Sequence, residues 1–261
     1  MTAAECTGGG PWSHEACYVY GIVPSSAAVP DGLTGVGDPA GPVSVAARRG
    51  VGAVISPVQP DQPLGTARDL RGHANVLNTM AAATAVLPIR FGAVMADPDA
   101  VASELLEPHH NVFADQLGQL HGHVQFTITG RYLGDVALRE ALAAEPEAMQ
   151  LRDIVRGHDS GAYRQENIRL GELVARALER NRLADLQVLI DTLTPHAVAV
   201  SEHIPSTPEG AAGAAFLVPQ PRRSGFEHAA EQLGQRWEDR IRLRLLGPLA
   251  PYDFAELPSG V

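Results

Sequence analysis

The sequence predicts an α+β protein of two domains. Its 261 residues, 45% of them hydrophobic, suffice for two ordinary cores. A helical pattern closes around residues 118–122 and strict alternation begins, which sets the domain boundary there. From residue 122 onward the signals run strand, helix, strand, strand, helix, strand. The expected organisation is a Gly-rich, aperiodic and flexible leader at residues 1–15, a small α+β domain at 16–120, and a second domain at 121–261 that includes a docked C-terminal tail.

In the first domain, Tyr18, Tyr20 and Ile22 alternate with Val19 and Val23 in a strand that Pro24 ends. The segment 30–41 reads as a loop. Its Gly35-Val-Gly37 lacks the third glycine, the lysine and the following helix that phosphate binding needs, so it reads as a turn-rich connector. Residues 43–48 and 51–57 are β-branched runs joined by Arg49-Gly50, the spacing of a two-residue hairpin. Thr66 and Asp69 form a capping box, and Leu70, Ala74, Leu77 and Ala81 recur at helical spacing through Thr84. His73, on that helix, reads as a partly buried hydrogen-bonding residue. Residues 86–92 predict a strand that Pro88 confines to an edge or bulge, with Arg90 its single charge. Asp97 caps a helix opening with Pro98; Pro108 interrupts it, and a second helix follows from His109 to Leu120.

In the second domain, Val124, Phe126 and Ile128 alternate with Gln125 and Thr127 in a half-buried strand. His121 and His123 share one strand face before it but have no third ligand, so no metal site is expected. Residues 134–157 predict short helices split by Pro146. A long helix capped by Asp159 or Ser160 carries Ile168, Val174, Leu178, Leu186, Leu189 and Leu193 inward, with a kink near Asn181, and stops at Pro195. Strands follow over 196–204 and 214–218. Ser224 and Glu227 then box the start of a helix whose stripe is Phe226, Ala230, Leu233 and Trp237. The last strand alternates Arg240, Arg242 and Arg244 with Ile241, Leu243 and Leu245. This succession is the ferredoxin-like βαββαβ arrangement, helices on one face of an antiparallel sheet. The open face would carry Gln125, Thr127 and the three arginines, a docking surface for an acidic element. Beyond the strand, Gly247, Pro248 and Pro251 turn the chain so that Tyr252 and Phe254 become aromatic anchors.

Composition excludes several functions. A net charge of -10 opposes general nucleic-acid binding. All 20 basic residues are arginine, so Schiff-base chemistry and a phosphate-loop lysine are absent. Cys6 and Cys17 match neither a disulfide framework nor a zinc site, which fits a reduced cytoplasm. There is no apolar run of membrane-spanning length and no signal peptide. No nucleophile elbow, metalloprotease or dinucleotide motif occurs, and acidic pairs such as Glu145 with Glu147 sit where capping explains them.

Three stretches carry a resemblance. Gly247-Pro-Leu-Ala-Pro-Tyr-Asp-Phe254 resembles the terminal G-P-[LW]-P-P-Y-[SD]-F signature of the gas vesicle accessory proteins, the GvpL/GvpF family, with Ala250 in place of the commoner proline. Tyr18-Val-Tyr-Gly-Ile-Val23 resembles that family's opening strand, and Val86-Leu-Pro-Ile-Arg-Phe-Gly92 is similar to its central V-L-P motif. The resemblance implies a non-enzymatic role in gas vesicle assembly, with a GvpA-type shell protein and other accessory proteins as partners and no cofactor. The candidate partner-binding residues are Arg90, Arg240, Arg242, Arg244, Tyr252 and Phe254. The alternative is an enzyme or small-ligand sensor, since a ferredoxin-like domain hosts many functions.

Overall fold

The structure, a computed structural model, describes residues 16–61, 63–156, 163–205 and 207–258. The expected leader and the Asp159 and Ser160 caps lie outside the described residues. The chain forms a mixed α/β fold with two antiparallel sheets, divided into two compact units. One comprises the chain up to Gln125 together with Pro248 onward, the other Phe126–Gly247. The tail therefore returns to the first unit, whereas the sequence places it with the second.

The first unit is built on β1 (Ala16–Pro24), flanked by β2 (Ser44–Arg48) and β3 (Val51–Val58). Its sheet order is β2-β3-β1-β4, with β5 also pairing β1. The β2–β3 hairpin turns on Arg49 at φ 49° and Gly50 at φ 92°, both left-handed as a primed two-residue turn requires. Helix α1 (Ala67–Ala83) begins on the complete Thr66–Asp69 capping box. Its buried side is Asp69, His73, Val76, Leu77, Met80 and Ala81, rotated from the expected stripe, and Leu70 is exposed. The rotation follows from polar residues that belong inside.

Residues 86–92 supply only the short β4 (Leu87–Pro88), at the sheet edge, before β5 (Val94–Met95). After Asp97 caps α2 (Pro98–Ala100), helix continues through a π-helical stretch (Val101–Leu106) into α3 (Glu107–Leu120). Pro108 was expected to break this run. The wider π-helical register, with Glu107 N–H donating to the Ala102 carbonyl, accommodates it instead.

A buried polar chain locks this unit. Gly92 N–H donates to the Tyr18 hydroxyl at 3.0 Å, and that hydroxyl shares a 2.9 Å hydrogen bond with His73 Nδ1. Tyr20 shares a 2.7 Å hydrogen bond with Ser56 and accepts Val36 N–H at 2.7 Å. Asp69 accepts Gly37 N–H as well as its own cap. Gly35 is required by close approach, since a Cβ there would lie 2.3 Å from Ser56 Oγ. The loop amides of Gly35, Val36 and Gly37 are thus already engaged within the unit.

The second unit comprises β6 (His123–Tyr132), which crosses the boundary, then α4 (Val136–Ala144), α5 (Pro146–Val155), α6 (Arg164–Leu193), β7 (Ala199–Glu202), β8 (Gly210–Pro219), α7 (Arg223–Arg236) and β9 (Ile241–Leu249). Strand order is β7-β8-β6-β9. The α6 helix runs unbroken past Asn181 and buries Leu173, Ala177, Asp185, Leu189 and Leu193, while Ile168 is exposed. Phe126, Phe216 and Phe226 join α7 to the sheet, with ring centroids 5.1 and 5.3 Å from Phe226. The expected capping box at Ser224 does not form. A 3-10 turn (Gln220–Arg222) leads directly into α7, and Glu227 pairs with Arg223 at 3.0 Å.

His73 is 4% exposed, and burial holds its pKa down to about 4, against a weaker pull from the Ile89 backbone. Its Nε2 has no partner of ordinary hydrogen-bond geometry. The unfolded chain, titrating near 6.5, takes up a proton that the folded chain refuses, so this contribution is complete above pH 6.5 and is lost as pH falls toward 4. Denaturant titrations from neutral pH downward should show stability falling by up to about 3 kcal/mol from this group, and His73→Gln should flatten that slope. An unchanged slope in the variant would exclude His73 as the source.

Candidate functional site

The closing strand separates its arginines by role. Arg240 lies before β9, in a turn where its N–H and that of Ile241 donate to the Trp237 carbonyl at 2.9 and 2.7 Å. Its guanidinium reaches Glu140 at 2.6 and 2.9 Å and Asp185 at 2.5 and 2.9 Å, lying over the Tyr132 ring. The Tyr132 hydroxyl donates to the same Asp185 at 2.5 Å. The hydrogen bonds to Glu140 lead in holding the guanidinium charged, and burial leads in raising the Tyr132 phenol well above its usual range. Arg240 was expected on the open face, but its donors are spent inside the second unit. Sequence reasoning missed Asp185, although a carboxylate on the apolar stripe of α6 was a signal that a cation must come to it.

Arg242 and Arg244 are exposed and have no ion pair among the described residues. They line a depression of ≈540 Å³ with Thr129, Arg131 and Ile204. On the other face of the sheet Ile128, Leu243 and Leu245 floor a groove of ≈590 Å³ against α7, which Arg242 also lines. Gln125, expected on the open face, is buried and bonded to the tail. Arg90 is exposed and likewise without an ion pair among the described residues.

The tail clamps onto the first unit. Gly247 adopts φ 147° where the strand bends, and Ala250 is fully buried, its N–H donating to Asn78 Oδ1 at 2.9 Å. Asp253 N–H donates to Gln125 Oε1 at 3.0 Å, and the Gln125 amide donates back to the Asp253 carboxylate. Glu256 N–H donates to Gln116 at 3.2 Å. Tyr252 is 41% exposed, with its ring 6.4 Å from His73, and burial of its hydroxyl end pushes its pKa up to about 12. Phe254 is half-buried. The three motif stretches thus converge in one unit: Tyr18 on β1, Gly92 donating to it, and Tyr252 beside its histidine partner.

The other strongly raised groups are also inward, whereas Glu107, Glu147 and Arg169 shift through exposed ion pairs. Burial, with the Asp97 charge adding to it, pushes the Cys17 thiol up to about 12, and Tyr18 and Tyr20 are raised by desolvation. His121 is exposed, His123 is half-buried, and among the described residues no cluster of three metal-ligating side chains occurs. No described helix is long and apolar enough to cross a membrane.

The family model for "Gas vesicle synthesis protein GvpL/GvpF" matches residues 16–256. The chain belongs to the GvpL/GvpF family. It is 34% identical to gas vesicle protein F of Streptomyces sp. (strain CB03234), over 92% of this chain and 99% of that protein. Crystal structures of GvpF from Microcystis aeruginosa and from Anabaena sp. PCC7120 superpose with TM-scores of 0.76 and 0.79, at 29% and 27% identity. They cover 93% and 94% of this chain, and 99% of each GvpF chain is matched. The architecture that this GvpL/GvpF member shares with them is the mixed α/β fold with two antiparallel sheets.

The arginines can be told apart by stability. Arg240→Gln should lower the unfolding free energy by about 3 kcal/mol, because it strands the buried Asp185. Arg242→Gln with Arg244→Gln should leave the melting temperature within a few degrees. Thermal melts of the two proteins check this, and equal losses would mean that the exposed pair is structural.

Proposed function

We propose that the protein is a non-enzymatic accessory factor of gas vesicle assembly, acting in the cytoplasm in association with the vesicle. In this reading it binds a GvpA-type shell subunit, other accessory proteins, or both, during nucleation and growth of the shell. The observation that carries the reading is the family match over residues 16–256, end to end with relatives named gas vesicle protein F. A binding rather than chemical role is supported by the placement of the shifted groups, which serve packing and ion pairing. Arg242, Arg244, Arg90 and the exposed part of Tyr252 are the candidate contacts; Phe254 supports the tail.

We further assign the second unit to the ferredoxin-like class. Support comes from its βαββαβ succession and its order β7-β8-β6-β9, with the first and last strands adjacent. The two units are read as two domains, the first completed by the tail.

Deleting the gene from a complete gas vesicle gene set should abolish or stunt the vesicles seen by electron microscopy, and the wild-type gene supplied in trans should restore them. Normal vesicles in the deletion strain would rule out an essential assembly role.

A further inference from the structure

Strand β9 ends the second sheet, and no described strand pairs with its outer side. An edge of this kind presents a row of unpaired backbone N–H and C=O groups, a template for another strand. The two sides of this edge differ in charge. Toward α7 lies the apolar floor of Ile128, Leu243 and Leu245, with Arg242 at its margin, under a lip bearing Glu231 and Glu238, neither ion-paired among the described residues. Away from α7 stands Arg244, with Arg242 shared between the two depressions, both exposed, beside Ile204 at 94% exposure.

We propose that β9 is a docking edge that receives an extended segment of another protein as an added strand, with apolar and acidic residues alternating along that segment. This deepens the reading of the protein as an assembly binder and rests on it. Strand periodicity sends alternate side chains to opposite faces, so the apolar set enters the α7 groove while the carboxylates meet Arg242 and Arg244. Backbone hydrogen bonds supply attachment, and the two unlike faces supply selection. A segment offered one residue out of register would bring its acids against Glu231 and Glu238, so the parity of the partner is fixed by repulsion as well as attraction. A second copy using its own β9 is disfavoured by the same electrostatics. Antiparallel pairing about Leu243 would set Arg242 of each copy opposite Arg244 of the other, two like-charge pairs on one face. Gly247 and Pro248 end the usable edge, which therefore spans Ile241–Leu246.

The test uses the full chain and a short synthetic peptide alternating valine with glutamate, beside its valine–lysine counterpart. The glutamate peptide should bind saturably by fluorescence anisotropy and slow amide hydrogen exchange within Ile241–Leu246. R242E/R244E should weaken that peptide by about tenfold or more and gain affinity for the lysine peptide, since exposed charges set this preference without holding the fold. A thermal melt matching wild type keeps the comparison interpretable, and Arg242→Gln with Arg244→Gln, which should weaken the glutamate peptide without gaining the lysine one, takes its place if the reversal unfolds the chain. Four outcomes overturn the proposal: no saturable binding at millimolar peptide, equal binding by the variant, binding without protection of Ile241–Leu246, or a dimer in which that edge is already protected. Vesicle formation is scored separately. Vesicle loss in the deletion strain with no peptide binding removes only the docking edge, whereas normal vesicles with peptide binding remove only the assembly reading.

Discussion

A carboxylate buried in a helix sets the frame of the second unit. Asp185, 6% exposed, cannot be left without a cation, and Arg240 meets it while also holding Glu140. That single guanidinium fixes where α4, α6 and the entry to β9 lie with respect to one another, and it does so with a planar fork that lysine does not possess. Arg240 lies in the turn before β9, which starts at Ile241, so it escapes the strand alternation that leaves Arg242 and Arg244 exposed.

Elements with complete local signals were legible in the sequence. The Thr66–Asp69 box, the Arg49-Gly50 hairpin, the Pro146 split and the stop before Pro195 all appear where residue chemistry places them. What failed depended on long-range partners. Apolar periodicity runs the α1 stripe through Leu70, yet Asp69 and His73 are buried and Leu70 is not, because Gly37 and Tyr18 hold the two polar side chains. Ser224 looked like a cap because its spacing to Glu227 was right, but Arg223 claims that glutamate first. Pro108 looked like a break because periodicity cannot register a π-helical turn.

The candidate site was legible in kind and less so in membership. Alternation revealed an arginine face, and the structure retains Arg242 and Arg244 on it while withdrawing Arg240 and Gln125. Neither withdrawal could be seen locally, since Asp185 lies 55 residues from Arg240 and Asp253 lies 128 from Gln125. An overall charge of -10 hides this local reversal of sign. Attraction to an acidic partner would be confined to one patch while the rest of the surface repels it, which orients the encounter as well as favouring it.

The returning tail has a consequence for how the chain matures. Pro248 onward belongs with residues synthesised before Phe126–Gly247, whereas Phe126–Gly247 is contiguous. The later-made unit can therefore finish before the earlier-made one. Until Ala250 reaches Asn78, the sheet and helix of the first unit wait with a gap in their core, so synthesis of the segment from Pro248 is the event that closes that unit.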